Sequence, residues 1–164
     1  MSSDQVVLRP ATHDDLPWLL ALARGYEVEP FLAPGADEGL ADAVARGEAL
    51  IAEGRDGRAV GAVRAMVVNV HSRIWAIRTL MIDPAARGRG LGVAVVHAVT
   101  ARLFAEHEVH RIEAEVYGFN AGGLRVFEAA GFVREGTRRR AYRRHEAWQD
   151  GVTFGLLVSD AAAR

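Results

Sequence analysis

Residues 80–92, Leu-Met-Ile-Asp-Pro-Ala-Ala-Arg-Gly-Arg-Gly-Leu-Gly, constrain the fold of this chain more than any other stretch. An apolar strand runs into Pro84, which stops it, and a glycine-rich turn leads straight into a long apolar helix that starts near Leu91. Gly88, Gly90 and Gly92 remove the Cβ atoms that would keep a ligand from the backbone. The first amides of the helix have no intrahelical acceptor, and the helix dipole together with Arg87 and Arg89 adds attraction for an anion. The stretch reads as a cradle for a diphosphate.

Two familiar phosphate-binding patterns fail on spacing. A Walker-type loop needs Lys-Ser/Thr after its last glycine, and the chain contains no lysine. A dinucleotide fingerprint needs Gly-x-Gly-x-x-Gly near a chain-initial strand, whereas the glycines here run Gly-x-Gly-x-Gly in mid-chain. What remains is Arg87-x-x-Gly90-x-Gly92 after a strand ending in Asp83-Pro84.

A second block, residues 115–132, carries Glu115, Asn120, Val126, Glu128, Gly131 and Phe132. The two blocks together resemble the GNAT superfamily of acyl-CoA N-acyltransferases. Its coenzyme A loop matches the first block, and its Asn-x-x-Ser/Ala-x-x-Val/Leu-Tyr-Glu-x-x-Gly-Phe pattern matches the second in register. The continuation after Gly131, Phe-Val-Arg-Glu-Gly, is most similar to the RimJ/RimL-type ribosomal-protein N-acetyltransferase branch. The resemblance covers about residues 5–158.

The resemblance implies an α/β (α+β) GNAT fold, a mixed, mostly antiparallel sheet splayed in a V with flanking helices, and one acetyltransferase domain over residues 1–164. It implies acetyl-CoA as acyl donor in the V-shaped gap. Leu80, Met81, Ile82, Arg87, Gly88, Arg89, Gly90, Leu91, Gly92, Asn120 and Phe127 are then expected against the coenzyme. Glu115 aligns with a glutamate that some protein N-terminal acetyltransferases use, which makes it the candidate general base. Glu113 shares its strand face, and adjacent carboxylates raise one another's pKa, while Arg78 on the preceding strand is a candidate ion-pair partner for either. At Phe127 the chain departs from the family, many of whose members carry a tyrosine there that protonates the departing thiolate. Tyr117 and Tyr142 are alternative donors.

The expected reaction is direct attack of a neutral primary amine, a protein N-terminus or a small amine, on the thioester. The alternatives are a catalytically weak coenzyme A binding or sensor protein, and a ribosome- or RNA-associated binding protein.

Composition restricts other classes. Of 164 residues half are hydrophobic and a quarter charged, as in an ordinary folded domain. The net charge of -1 gives no global pull toward nucleic acid or an anionic membrane. The absence of cysteine removes disulfides, thiolate nucleophiles and cysteine metal sites. With no signal-like or spanning apolar run, the chain is expected to be cytoplasmic.

In chain order, strands are expected at residues 6–9, 48–53, 59–70, 73–82, 110–117, 132–144 and 148–159. Helices are expected between Thr12 and Gly25, at 40–45, from Leu91 to about Glu106, and at 120–130. In the fourth strand Trp75, Ile77, Thr79 and Met81 alternate against Ala76, Arg78, Leu80 and Ile82. The long helix between the fourth and fifth strands predicts a parallel crossover. The acidic loop with Glu27, Glu29, Asp37 and Glu38 falls on the acceptor side by resemblance, where it is suited to recruit a cation or is simply solvated. The arginine cluster at 138–144 reads as a solvated or dimer edge rather than an RNA contact. His107 and His110 flank a helix end without a third ligand, so no metal is expected.

Overall fold

The computed structural model describes residues 6–163. Seven strands, β1 (Val7–Pro10), β2 (Ala49–Glu53), β3 (Ala59–Asn69), β4 (Ile74–Ile82), β5 (Arg111–Tyr117), β6 (Val133–Arg144) and β7 (Ala147–Leu157), form one sheet in the order β1-β2-β3-β4-β5-β7-β6. All neighbours are antiparallel except β4 and β5. That parallel pair is joined by the 16-residue helix α3 (Leu91–Glu106), as a crossover requires. The remaining helices are α1 (Leu16–Arg24), α2 (Leu40–Ala45), α4 (Ala121–Ala129) and α5 (Val158–Ala162).

Helices cover the two sheet faces unequally. Every residue of β2 from Ala49 to Ala52 is buried, Leu50 and Ala52 against α3 and Ala49 and Ile51 against α1 and α2. Two-sided burial explains its unbroken apolar run. β5 instead alternates: Ile112, Ala114 and Val116 enter the core beneath α3 and α4, while Glu113, Glu115 and Tyr117 occupy the opposite, polar face. The helical cover provided by α1 and α2 ends where this polar face begins.

β4 departs from the expected alternation. Ala62 pairs with Met81 but Arg64 pairs with Arg78, so three steps on β4 span two on β3, and Thr79 sits in the bulge at φ +50°. The extra residue swaps the faces. Trp75 and Ile77 pack toward α3 before the bulge, Leu80 and Ile82 do so after it, and Met81 joins the core under α1. Trp75, Ile77, Thr79 and Met81 thus do not share one face.

Other differences are local. Pro17 delays the first helix, a 3-10 turn at His13–Asp15 preceding α1. The last strand gives way at Val158 to α5, whose Asp160 carboxylate accepts the Leu157 N–H at 3.0 Å. Gly61 allows β3 to close on the bulge, since a Cβ there would lie 2.6 Å from the Met81 carbonyl oxygen. Backbone cannot yield as a side-chain tip can, so Gly61→Val should lower the melting temperature by roughly 5 °C or more, read by thermal unfolding.

Candidate active site

The glycine-rich turn leads from the end of β4 into α3. Asp83 accepts the Ala85 N–H at 2.9 Å, closing one 3-10 turn over Pro84–Ala86, and Gly88 and Gly90 then take φ of +77° and +73°. Among the described residues no acceptor is bonded to the amides of residues 88–93, and the first satisfied amide is that of Ala94, on the Gly90 carbonyl at 3.1 Å. Gly92 serves another purpose. A Cβ there would sit 2.9 Å from Val126, so this glycine also sets the approach of α3 to α4.

These amides face a cavity of about 780 Å³ whose lining includes Leu80, Met81, Ile82, Arg87, Gly88, Gly90, Leu91, Gly92 and Asn120. Met81 lines this cavity although its side chain is buried in the core under α1. Arg87 lines the cavity while donating to the Glu27 carbonyl at 2.9 Å. Arg89 is exposed and lies outside the lining.

The last pair between β4 and β5 is Ile77 with Ala114, and beyond it the strands separate. A second cavity of about 410 Å³, lined by Arg78, Thr79, Leu80, Glu115, Phe127, Arg138 and Tyr142 among others, lies at this parting. The two cavities share Phe31, Leu32, Leu80, Asn120 and Gly123, so one passage runs from the glycine turn through the gap to Glu115.

Glu115 is held from the β6 side. The Tyr142 hydroxyl donates to Glu115 Oε1 at 2.8 Å, and Arg138 Nη1 reaches Glu115 Oε2 at 3.3 Å and the Tyr142 oxygen at 2.7 Å. Two extra residues in β6 between Arg138 and Tyr142 bring both onto this point, the bulge being tied by the Arg140 N–H to Asp150 Oδ1 at 2.7 Å. The intervening β7 position is Gly151, where a Cβ would run into the Glu115 carboxylate and come within 2.7 Å of the Tyr142 ring. Burial, and then the bond to Glu115, raise the Tyr142 pKa above its ordinary value. Burial likewise raises that of Tyr117, against the opposing charge of Arg144.

This geometry corrects the pairing expected for the two glutamates. Glu113 is bound by Arg111 at 2.8 Å, and Arg78 makes no ion pair among the described residues. Asn120 caps α4, its Oδ1 accepting the Gly123 N–H at 2.9 Å. Gly123 is required by that cap and by β5, since a Cβ would sit 2.7 Å from Asn120 Nδ2 and 2.9 Å from Val116. Phe127 is only 5 % exposed and packs against Phe132 and Phe154 with centroids at 5.2 and 5.8 Å.

The acidic loop and the arginine cluster meet instead of standing apart. Arg144 donates to the Glu29 carbonyl and carboxylate, both at 3.1 Å, and His145 contacts the Pro30 carbonyl at 3.2 Å. Asp37 is taken by Arg24 at 2.7 Å. The loop is therefore tied across the passage mouth, at Arg87 on one side and at Arg144 on the other. Phe31, Phe119, Tyr117 and Tyr142 form a chain of ring contacts along that wall. Sequence reasoning placed Arg138 in a solvated or dimer edge, whereas it bonds Glu115, and did not bring forward Gly151 or Phe31 as site residues. His107 stacks on Trp75 at 4.6 Å. Among the described residues no three His, Asp or Glu side chains converge so as to hold a metal, and no helix is long and apolar enough to cross a membrane.

Comparison with known proteins agrees with this architecture. The sequence model of the acetyltransferase (GNAT) family matches residues 17–132. The chain is 32 % identical over 105 residues to the probable N-acetyltransferase YjcK of Bacillus subtilis, covering 64 % of this chain and 58 % of that protein. It is 35 % identical over 130 residues to a mycothiol acetyltransferase of Sanguibacter keddieii, covering 74 % of this chain and 41 % of the relative. The chain thus spans about half the length of the curated relatives it matches. The fold superimposes on a spermidine N-acetyltransferase from Vibrio cholerae solved with CoA and spermine, with a TM-score of 0.84, 19 % identity and coverage of 96 % and 98 % of the two chains. On the family match and the splayed seven-stranded sheet, the chain belongs to the acetyltransferase (GNAT) family.

Proposed function

We propose that the chain transfers the acetyl group of acetyl-CoA to the nitrogen of a primary amine. The observation that carries this reading is the run of unaccepted amides at residues 88–93, facing a cavity continuous with the one that contains Glu115. A diphosphate satisfies such amides at the positive end of α3, and Gly88 and Gly90 leave room for it. Acetyl-CoA supplies an activated thioester when bound. Leu80, Met81 and Ile82, where β4 is no longer paired with β5, offer main-chain groups to the amides of the coenzyme arm, in the manner of an added strand. Asn120 stands at the junction of the two cavities.

Glu115 acts as general base, accepting a proton from the incoming amine directly or through water so that the neutral nitrogen attacks the thioester. Tyr142 and Arg138 fix its carboxylate, and Gly151 leaves the slot in which they meet. Phe127 cannot donate a proton. A thiol of pKa about 8.5 leaves tolerably as thiolate, and Tyr142 is a hydroxyl in the same cavity that can protonate it.

A small amine is favoured over a protein N-terminus as acceptor. The Phe-Val-Arg-Glu-Gly segment that suggested ribosomal-protein acetylation has a structural use here, with Glu135 paired to Arg111 and Gly136 at a β6 bulge. Solved proteins of the same fold include spermidine acetyltransferases.

Glu115→Gln should lower kcat by about 100-fold or more with acetyl-CoA affinity preserved, read by thiol release and calorimetry. Gly151→Ala should fold, because the displaced carboxylate is the free end of a side chain, yet lower kcat by about tenfold through loss of the Glu115–Tyr142 contact. Arg87→Glu should weaken acetyl-CoA binding by about tenfold or more, measured by calorimetry.

A further inference from the structure

The acceptor-side cavity has an unexpected charge balance. Its charged lining consists of Arg78, Arg138 and Glu115. The single carboxylate is already engaged by Tyr142 and Arg138. Arg78, one residue past the last β4–β5 pair, makes no hydrogen bond or ion pair through its side chain among the described residues. It shares with Glu115 the sheet face away from α3, since Ile77 and Ala114 beside them point into the core under that helix. The loop acids that would offset these arginines are used elsewhere: Glu29 by Arg144, Asp37 by Arg24, with Glu27 4.0 Å from Arg87, and none of them lines this cavity.

A polyamine entering this cavity would bring several ammonium groups toward two guanidinium groups and one occupied carboxylate. Coulomb's law disfavours that arrangement, the more so in a partly enclosed site. A molecule with one amine and one nearby carboxylate has the opposite fit. An arginine fork binds a carboxylate bidentately, which orients as well as attracts. The amine, on the same small molecule, is then set down between the β4 wall and Glu115.

We infer that the acceptor is a small amine bearing a carboxylate close to its amino group, as in an α-amino acid, with Arg78 as the residue that grips the carboxylate. This rests on the acetyl-transfer reading above and narrows it. The α-amine of such a molecule is the nitrogen to be acetylated, one N–C bond forming as the thioester C–S bond breaks, with the amine proton passing to Glu115 and the electron pair leaving on sulfur. Phe31, Tyr117 and Tyr142 line this cavity and offer rings against which an apolar side chain of the acceptor packs. Arg78 is a specificity-determining residue in this arrangement and takes no part in proton transfer.

The test is thiol release from acetyl-CoA with the twenty amino acids offered singly, the same compounds as α-carboxamides, and spermidine. At least one free amino acid should exceed its own amide and spermidine by about tenfold or more in kcat/KM. Arg78→Ala should raise KM for that acid by about tenfold, leave KM for its amide within about twofold, and leave acetyl-CoA affinity by calorimetry unchanged, with Arg78→Lys recovering part of the loss. Amides or spermidine that match the free acids, or an Arg78→Ala effect equal on acid and amide, overturn the inference and leave acetyl transfer standing. Acetyl-CoA that binds but acetylates none of these amines nor an N-terminal peptide overturns the acetyl-transfer reading itself, and the inference with it.

Discussion

The parting of β4 from β5 is the constraint from which the rest of the site follows. Four residue pairs join the two parallel strands, and after Ile77 and Ala114 the pairing stops. A sheet that stays paired presents no backbone to a ligand, whereas one that opens presents a strand edge on each side of a gap. α3 begins at the open end of β4, so the unaccepted amides at its start and the unpaired strand edge line one passage. The bulge at Thr79 falls at the same place and redirects the side chains of β4 between two cores.

Close packing on the polar face depends on two missing side chains in β7. Gly151 leaves space for the Glu115 carboxylate and the Tyr142 ring, and Gly155, four residues on, leaves space for Arg111 and Glu135. Each glycine lies beneath charged groups that reach across it from β5 and β6. The first of these groupings faces the passage and is the proposed catalytic centre. The second joins Arg111 to both Glu113 and Glu135 and fastens β6, the edge strand, to the middle of the sheet. With Glu113 so occupied, Glu115 is the β5 carboxylate left to face the cavity.

Arginine supplies every permanent cation of this chain, and its members divide by neighbour rather than by position in the sequence. Arg138 and Arg144 come from one basic run, yet one holds the Glu115–Tyr142 pair and the other ties down the loop over the passage mouth. Arg78 has neither duty, which is why the charge of the cavity beside Glu115 tips positive. Exposure of Phe31 beside that loop gives the same wall an apolar face.

Resemblance over residues 80–92 and 115–132 pointed to the family and its fold, and the sequence by itself determined most element positions and the glycine-rich turn. Those depend on local rules: strand alternation in residues 111–117, helical spacing after Leu91, and the turn chemistry of Pro84, Gly88 and Gly90. It also brought Glu115 forward as a candidate, because that residue aligns with a glutamate that some protein N-terminal acetyltransferases use. Only the tertiary structure decided its partners. The choice of Arg138 over Arg78 depends on strand order and on a two-residue excess in β6, and the face swap in β4 depends on a bulge, both of which periodicity cannot register. The reasons for Gly92, Gly123 and Gly151 likewise lay in neighbours distant along the chain or across strands, since a missing Cβ acquires meaning only from the atoms that would have met it.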